Sequence, residues 1–131
     1  MDIHSLTERV IGCAYSVHNG LGAGFLEKVC ENAMCLELDR ARISVRQQAP
    51  IPVTYRGQVV GDFAADLLVE DRLVVELKAV RQIIKEHEVQ LVNYLAATGI
   101  EDGLLINFGS SVEVRRKYRT YRARRPQSPD F

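Results

Sequence analysis

Two apolar runs joined by a short charged segment constrain the fold of this chain more than any other feature. Residues 59–69 and 73–80 are rich in aliphatic and β-branched side chains, and the charged tripeptide 70–72 separates them. This pattern predicts a β-hairpin with a three-residue turn, because alternating apolar runs bounded by polar residues form strands. The turn length sets the register, so Val69 is expected to pair with Leu73.

Ionisable side chains interrupt the second run, VVELKAV (74–80). On the predicted register Asp66 faces Glu76 across the ladder, and Lys78 lies two residues further along the same face. Two facing carboxylates repel and raise each other's pKa, and a divalent cation such as Mg²⁺ relieves this conflict because it takes carboxylate ligands. A structural ion pair between Lys78 and either carboxylate accounts for the same spacing, so both interpretations stay open at this point.

The rest of the chain shows helical and strand patterns in a definite order. Apolar spacings of three and four residues predict helices, and runs rich in β-branched residues predict strands. Pro50 and Pro52 interrupt the first strand, which favours a position at the edge of a sheet. The predicted helices are 3–18, 25–40 and 83–97, and the predicted strands are 43–48 with a continuation at 53–55, 59–69, 73–80, 103–108 and 112–119. This order is neither a regular βαβ repeat nor an all-β pattern.

A glycine-rich break, NGLGAG (19–24), separates the first two predicted helices. It lacks the GK[ST] that follows in a phosphate-binding P-loop, and it follows a helix rather than the strand of a dinucleotide-binding fingerprint. The break therefore does not indicate a phosphate-handling enzyme of either type. After the break, the second helix is expected to bury one apolar stripe, formed by Leu26, Val29, Cys30, Ala33 and Leu36.

Length and composition fit one globular domain. The 131 residues are 47% hydrophobic and 26% charged, and we expect one domain over residues 1–120 with a basic, proline-containing tail at 121–131. No apolar run approaches the ~20 residues of a membrane span, and the N-terminal segment lacks the basic start of a signal peptide. We therefore expect a cytoplasmic location and no membrane contact. The three cysteines form no CxxC pair, which predicts free thiols rather than disulfides or a zinc site.

Charge is distributed unevenly along the chain, although the net charge is zero. From Val114 onward there are seven basic residues and one acid, so residues 1–113 carry the balancing excess of acids. A basic end of this kind is able to bind the acidic body of its own chain, a protein partner or nucleic acid. Arg115, Arg116 and Lys117 are its candidates for phosphate contacts.

Further polar residues border the predicted core of the helices. Glu27 lies in the first turn of the second helix, where an acid is also favourable to the helix dipole. In the third helix His87, Gln90 and Tyr94 share one face through their i, i+3 and i+7 spacing. A polar stripe of this kind is equally expected at the edge of a solvated face, so these residues indicate a site only together with the charged strand.

Four segments resemble the GxxExxY family: GAGFLEKVC (22–30), DFAADLLVEDRLVVELKAV (62–80), HEVQLVNYLAATG (87–99) and GLLINF (103–108). This family is a small group within the PD-(D/E)xK nuclease-like superfamily, and the resemblance covers about residues 5–118. The motifs are specific in combination, in this order and at these spacings, whereas each one alone is not. The resemblance implies an α/β (α+β) protein with a restriction-endonuclease-like αβββαβ core, in which helices flank a small mixed sheet.

The resemblance also implies a nuclease that depends on Mg²⁺ or Mn²⁺. By the D…ExK pattern of the superfamily, Asp66 and Glu76 hold the metal ion. Lys78 acts on the attacking water or on the scissile phosphate. Glu27 takes the glutamate position of the GxxExxY motif and helps to complete the metal site.

The third helix carries a second implied element, because QLVNY (90–94) resembles the Q-x3-Y element of RecB-like nucleases. The resemblance gives Gln90 a part in the catalytic site and places Gln90 and Tyr94 near its substrate end, with His87 on the same helix face. The implied partner is nucleic acid, with DNA in preference to RNA. A homodimer or a protein partner is a further expectation, since a nuclease domain of this size often gains its specificity from one.

One position departs from the family pattern, because Cys30 stands where the family has tyrosine. The cysteine leaves a smaller contact if that tyrosine packs on the third helix, and it removes a contact if the tyrosine touches substrate. The D…ExK residues are all present. The sequence therefore predicts a metal-dependent nuclease, and the alternative is a catalytically inactive module of the same fold that binds nucleic acid or a protein partner.

Overall fold

The computed structural model describes residues 1–120, and the predicted tail 121–131 lies outside the described residues. Within residues 1–120, helices and strands follow one another in the predicted order. They are α1 (Ile3–Leu21), α2 (Glu27–Arg40), β1 (Val45–Tyr55), β2 (Gln58–Val69), β3 (Leu73–Lys78), α3 (Lys85–Thr98), β4 (Asp102–Phe108) and β5 (Val112–Tyr118). None of the helices in this part of the chain is long and apolar enough to cross a membrane.

The strands form one mixed sheet in the order β1-β2-β3-β4-β5. β3 and β4 are parallel and α3 connects them, whereas the other neighbouring strands are antiparallel. β1 lies at the edge, as Pro50 and Pro52 predicted, but it continues through both prolines as one strand. The predicted class, a small mixed sheet flanked by helices, is confirmed.

The helices cover opposite faces of the sheet. Leu77 of β3 lies in the core beneath α1 and α2, and Val74 of the same strand lies in a second core beneath α3, together with Leu95. Side chains alternate along a strand, so Glu76 and Lys78 share the face of Val74. The two charged residues of β3 therefore lie on the side of the sheet that α3 covers.

Close packing of α3 on β4 depends on Gly103. A Cβ atom at Gly103 would lie 3.0 Å from Leu91 Cδ1 and 3.2 Å from Leu95 Cδ1, so a larger residue would push the helix side chains away. α3 is followed by Gly99 at its C-terminal end, and this glycine has the left-handed φ of 74° that favours glycine at a helix end. These contacts hold α3 close to the face that carries Glu76.

The predicted buried stripe of α2 is wrong in its phase. Cys30 is buried and Ala33 is partly buried, but Leu26, Val29 and Leu36 are exposed. The residues that α2 buries are Cys30, Glu31, Met34 and Leu38. Apolar residues recur every three or four positions on both faces of this helix, so the spacing did not distinguish them.

The β2–β3 hairpin has the predicted register. Val69 pairs with Leu73 across the turn, and pairing continues as far as Leu67 opposite Val75. Beyond this point the ladder between β2 and β3 ends, although β2 remains paired with β1 along most of its length. The outer part of the β1–β2 hairpin is therefore free of β3.

Candidate active site

The candidate site lies where β2 and β3 separate, at Asp66 and Glu76. The Asp66 N–H donates a hydrogen bond to Glu76 Oε2 at 3.0 Å, and the Leu77 N–H donates one to Asp66 Oδ2 at 2.7 Å. Each carboxylate thus binds a backbone group of the opposite strand, just beyond the last ladder pair. These reciprocal bonds hold the two predicted metal ligands side by side.

Burial makes this carboxylate pair costly to ionise. Glu76 is 6% exposed, and burial together with the negative charge of Asp66 raises its pKa to about 8. Burial also raises the pKa of Asp66, and the nearby charge of Glu31 adds to the rise. No residue in 1–120 donates a hydrogen bond to Glu76 Oε1, so a buried carboxylate oxygen lacks a partner there. Such an oxygen suits a bound cation.

Lys78 lies half-buried on the same sheet face. It forms no ion pair with any residue in the described part of the chain. Its positive charge nevertheless acts on Asp66, Glu76 and Glu27, because it opposes the effect of burial on the pKa of each. The structural ion pair considered from the sequence is therefore not formed, and the ammonium group is available to a molecule that enters the site.

Glu27 approaches this group of charges from the first turn of α2. Burial raises its pKa, and the Asp66 carboxylate adds to the rise. Across residues 1–120, no three His, Cys, Asp or Glu side chains are grouped closely enough to hold a metal ion. The predicted metal set of Asp66, Glu76 and Glu27 is therefore not assembled in advance. Mg²⁺ needs only one or two protein carboxylates, since water and substrate oxygens complete its shell.

α3 brings Tyr94 towards the carboxylates but not the other predicted residues of its face. Tyr94 is buried, and burial followed by the charges of Glu76 and Asp66 raises its pKa. Gln90, which precedes Tyr94 by about one helical turn, is exposed. His87 Nδ1 accepts a hydrogen bond at 3.2 Å from the backbone N–H that precedes α3, so this side chain caps its own helix.

A cleft of about 830 Å³ lies between α3 and the outer part of the β1–β2 hairpin. Gln90 and Tyr94 line it from α3, and Phe63 lines it from β2. The two carboxylates do not line the cleft themselves. Tyr94 packs in the core beneath α3 with Ala65 and Val74, which belong to the two strands that carry the carboxylates, so the cleft lies beside this part of the sheet.

The predicted phosphate-binding residues of β5 form ion pairs within the chain. The pairs are Lys117 with Glu88 at 2.6 Å, Arg115 with Glu113 at 3.3 Å, and Arg116 with Glu8. The structure places none of the three basic residues in contact with Asp66 or Glu76. Binding to the acidic body of the same chain was one expectation for the basic end, and it is what these three side chains do.

A polar network behind the carboxylates was not predicted from the sequence. Glu31 is 2% exposed and accepts hydrogen bonds from Lys28, Gln47 and Gln48. Burial alone would raise the pKa of Glu31, but these hydrogen bonds together lower it. Gln48 Nε2 also lies 3.3 Å from Asp66 Oδ1, so one amide group bridges the network and the carboxylate pair.

The backbone around Gln48 explains why its role was missed. Its φ of 54° is left-handed, which a glutamine rarely adopts. Ala65 and Leu67, two residues apart on the neighbouring strand, lie on opposite faces of the sheet, so the alternation changes phase here. No sequence pattern marks such a kink. For Glu31 a weak signal existed, because it follows Glu27 by four residues on one side of the helix.

A second depression, of about 520 Å³, borders Glu27. Arg81, in the segment between β3 and α3, also lines it. Arg81 is exposed and forms no ion pair with any other residue in 1–120. This arginine is therefore available to a phosphate group near the site, although the sequence gave no reason to select it.

Comparison with known proteins shows which family and which solved structures this chain is similar to. A family model described as the PD-(D/E)XK nuclease superfamily matches residues 4–119. The fold is similar to the crystal structure of SSO0001 (TM-score 0.55, 17% identity) and to that of an alkaline exonuclease (LHK-Exo) from Laribacter hongkongensis (TM-score 0.54, 16% identity). The matches cover 70% and 71% of this chain but only 50% and 56% of those chains. None of the curated proteins compared matches the chain.

These similarities confirm the expected restriction-endonuclease-like fold. The chain spans about half the length of the two solved structures. At such low identity the structural likeness shows the fold alone.

Proposed function

Because the chain belongs to the PD-(D/E)XK nuclease superfamily, we propose that it hydrolyses phosphodiester bonds in nucleic acid at a D…ExK site made by Asp66, Glu76 and Lys78. The observation that carries this proposal is the buried, reciprocally bonded carboxylate pair. It lies beside an ammonium group that forms no ion pair among the described residues. The pair brings two buried carboxyl groups together, and a bound cation would allow both to ionise.

Asp66 and Glu76 fit Mg²⁺ or Mn²⁺ as ligands, with Glu27 able to add a further carboxylate. The support is the buried oxygen of Glu76 that accepts no hydrogen bond from residues 1–120, together with the preference of these cations for carboxylate oxygens. When bound, a divalent cation supplies Lewis-acid stabilisation of the scissile phosphate and a more acidic water.

Lys78 and Arg81 complete the proposed site with positive charge. Lys78 lies on the sheet face of Glu76, where it is able to donate a hydrogen bond to an attacking water or to a phosphate oxygen. Arg81 lines the depression that borders Glu27, where it is able to bind a neighbouring phosphate. Both groups act on charge that the substrate brings into the site.

Within the superfamily we place the chain in the GxxExxY group. Glu27, at the glutamate position of that motif, supports this placement because its charge interacts with Asp66 and Lys78. Cys30, at the tyrosine position, is 3% exposed and packs in the core beneath α1 and α2, on the face opposite α3. The cysteine therefore affects core packing in this chain and makes no contact with α3.

Cleavage assays test the proposed hydrolysis. The protein is incubated with single-stranded, double-stranded and branched DNA and RNA, with Mg²⁺, with Mn²⁺ and with EDTA. We expect metal-dependent cleavage of DNA that is lost in Asp66→Asn and Lys78→Met. Asp71→Asn is the matched control, because Asp71 is an exposed acid in the turn of the same hairpin and, among residues 1–120, forms an ion pair only with Arg46, at 3.0 Å. Cleavage that survives in both Asp66→Asn and Lys78→Met would overturn the proposal.

A second function, a catalytically inactive module that binds a protein partner, has one supporting observation. Leu26, which directly precedes α2, is 77% exposed, and Leu36 on α2 is 68% exposed. Large apolar side chains exposed on and beside one helix are typical of a docking surface. The same assays separate the two functions, since binding of nucleic acid or partner without cleavage in any metal favours the module.

A further inference from the structure

An aromatic ring lies at the open side of the cleft between α3 and the β1–β2 hairpin. Phe63 is 49% exposed, although it belongs to a strand that faces a helix. Its ring centroid lies 5.7 Å from that of Tyr94, and the two rings are tilted by 40°. Tyr94 is buried and packs with Ala65 of β2 and Val74 of β3, the two strands that carry Asp66 and Glu76. The two rings therefore extend from the open cleft to the strands of the carboxylate pair.

The walls of this cleft suit a flat ring with polar edges. Most of the lining is apolar, from Val53, Phe63, Val89, Tyr94, Ala96 and Ala97. The amide groups of Gln90 and Asn93 lie among these side chains, and each carries donors and an acceptor. Lys85 and Glu86 also line the cleft with opposite charges, so net charge does not select the ligand. The volume lies within the range of about 300–1,000 Å³ that is usual for small-ligand sites.

We propose that this cleft binds an unpaired nucleobase of a single-stranded nucleic acid, stacked on Phe63 with its edge towards Gln90 and Asn93. Aromatic side chains stack on bases of any sequence, and side-chain amides bond to base edges. This inference rests on the proposed function, because it names the substrate class of the same site. The substrate is a single strand or a single-stranded end whose backbone continues towards Asp66 and Glu76.

The stacking of bases in a duplex and the position of the cleft favour an unpaired base over other ligands. In a duplex the faces of a base are covered by its neighbours, so a base must leave the stack before a protein ring is able to pack against it. An apolar peptide is the other ligand that such walls accommodate. The base is favoured because Tyr94, which lines the cleft, packs on the two strands that carry the carboxylate pair, where a phosphodiester would be cleaved.

A single tryptophan reporter tests base stacking directly. The chain contains no tryptophan, so Phe63→Trp places one fluorophore at the cleft. In a Lys78→Met background with EDTA, we expect saturable quenching by a single-stranded oligonucleotide. A blunt duplex and an abasic strand of equal length should quench little. Tyr55→Trp is the matched control without quenching, because Tyr55 is 64% exposed on the same hairpin but does not line the cleft.

Affinity measurements test the same contact without a reporter. Fluorescence anisotropy with a labelled single strand should show a Kd that rises about 5- to 100-fold in Phe63→Leu and Phe63→Ala. Phe63→Tyr should retain the affinity, because it keeps the ring. Tyr55→Leu should leave the Kd unchanged. Circular dichroism melting of each variant separates lost stacking from lost folding.

The outcomes distinguish this inference from the proposed hydrolysis. Equal binding of single-stranded, duplex and abasic oligonucleotides would overturn the inference. Absence of quenching in Phe63→Trp by every oligonucleotide would do the same, and quenching by an apolar peptide instead would assign the cleft to a protein partner. If no oligonucleotide quenches Phe63→Trp but the protein with Lys78 intact still cleaves nucleic acid in the presence of metal, only this inference is removed. Quenching without cleavage in any metal supports it and removes only the hydrolysis.

Discussion

Glu76 couples the charge of the candidate site to the stability of the fold. Its carboxylate is buried, accepts the Asp66 N–H where the strand ladder has ended, and has a pKa raised to about 8 by burial and by the charge of Asp66. A proton and a metal ion therefore compete for the same group, because a metal ligand must be deprotonated. Bound metal should therefore reduce the loss of stability that rising pH causes.

Without metal, we expect the protein to lose thermal stability as the pH rises from about 5 to about 9. The pKa of Glu76 lies above its ordinary value of 4.5 in the folded state, so the folded protein binds the proton more tightly than the unfolded chain does. Its contribution to stability is complete below the unfolded pKa and is lost as the pH rises through about 8. Differential scanning fluorimetry at constant ionic strength measures this trend, and Glu76→Gln should flatten it.

Millimolar Mg²⁺ should counteract that loss of stability. We expect the metal to raise the Tm more at about pH 8.5 than at about pH 6, since the ionised pair binds the cation and the protonated pair does not. Glu76→Gln removes one anionic ligand and should reduce the effect at high pH. A Tm that is insensitive to metal at both pH values, or an unchanged pH trend in Glu76→Gln, contradicts the assignment.

Gln48 should position Asp66 through its amide group. Gln48→Met removes hydrogen bonds to the buried Glu31 and to Asp66, so we expect a loss of about 1–3 kcal/mol in the free energy of unfolding and weaker metal binding. Gln47→Met is the matched control, because Gln47 donates to Glu31 and Asn32 but not to Asp66. It should lower stability with little change in metal affinity. Urea denaturation and calorimetric metal titration measure the two quantities, and equal metal affinities in both variants would rule out the positioning role.

The sequence predicted the residues that depend on strand alternation and turn length. Asp66, Glu76 and Lys78 follow from period-two spacing and a three-residue turn. The predicted register is observed as far as Leu67 opposite Val75, one pair short of Asp66 and Glu76. Gln48 and Glu31 did not follow, because they meet only where β1 has a left-handed residue and β2 changes phase. A contact that depends on a local kink has no periodic signature in the sequence.

At the scale of elements, α2 shows the limit of apolar periodicity. The helix has large apolar side chains on both faces, and the packed face also contains Glu31, whose carboxylate is satisfied by hydrogen bonds. An ionisable residue on a helix face argues against burial unless its partners are known. The existence and order of the helices and strands were predictable because each shows a clear period, whereas the buried face of α2 depended on those partners.

Two truncations on α2 test which face it buries. Met34 is fully buried and Leu36 is 68% exposed. Met34→Ala should lower the free energy of unfolding by about 2–5 kcal/mol, because it opens a cavity in the core. Leu36→Ala should change it by less than about 0.5 kcal/mol, because its side chain already faces solvent. Urea denaturation of the two variants decides the question, and a larger loss in Leu36→Ala would restore the stripe predicted from the sequence.

At the scale of the whole molecule, charge is arranged so that acids neutralise the basic strand. Arg115, Arg116 and Lys117 on β5 lie in ion pairs with glutamates, two of which belong to α1 and α3. The uneven distribution of charge was evident in the sequence. The acids that pair with the basic residues of β5 were not, because they depend on which helices pack beside this strand. Basic side chains already paired contribute less to phosphate binding, because a phosphate must displace the carboxylate.

Salt-dependent binding therefore distinguishes Arg81 from Arg116. Each phosphate contact releases about one counterion, so Arg81→Ala should lower the affinity for a single-stranded oligonucleotide and reduce the slope of log Kd against log salt by about one. Arg116→Ala is the matched control. It removes the same charge from the protein, but its guanidinium is paired with Glu8, so the slope should change little.

Anisotropy titrations in EDTA over a range of salt concentrations give both slopes without interference from cleavage. If Arg116→Ala changes the slope as much as Arg81→Ala, the ion pairs of β5 open in the complex, and the basic strand binds phosphate as the sequence alone suggested. If only Arg81→Ala changes it, phosphate contacts concentrate beside Glu27, in the depression that Arg81 lines. The backbone of the substrate would then pass the carboxylate pair at the start of α2, while an unpaired base occupies the cleft under α3.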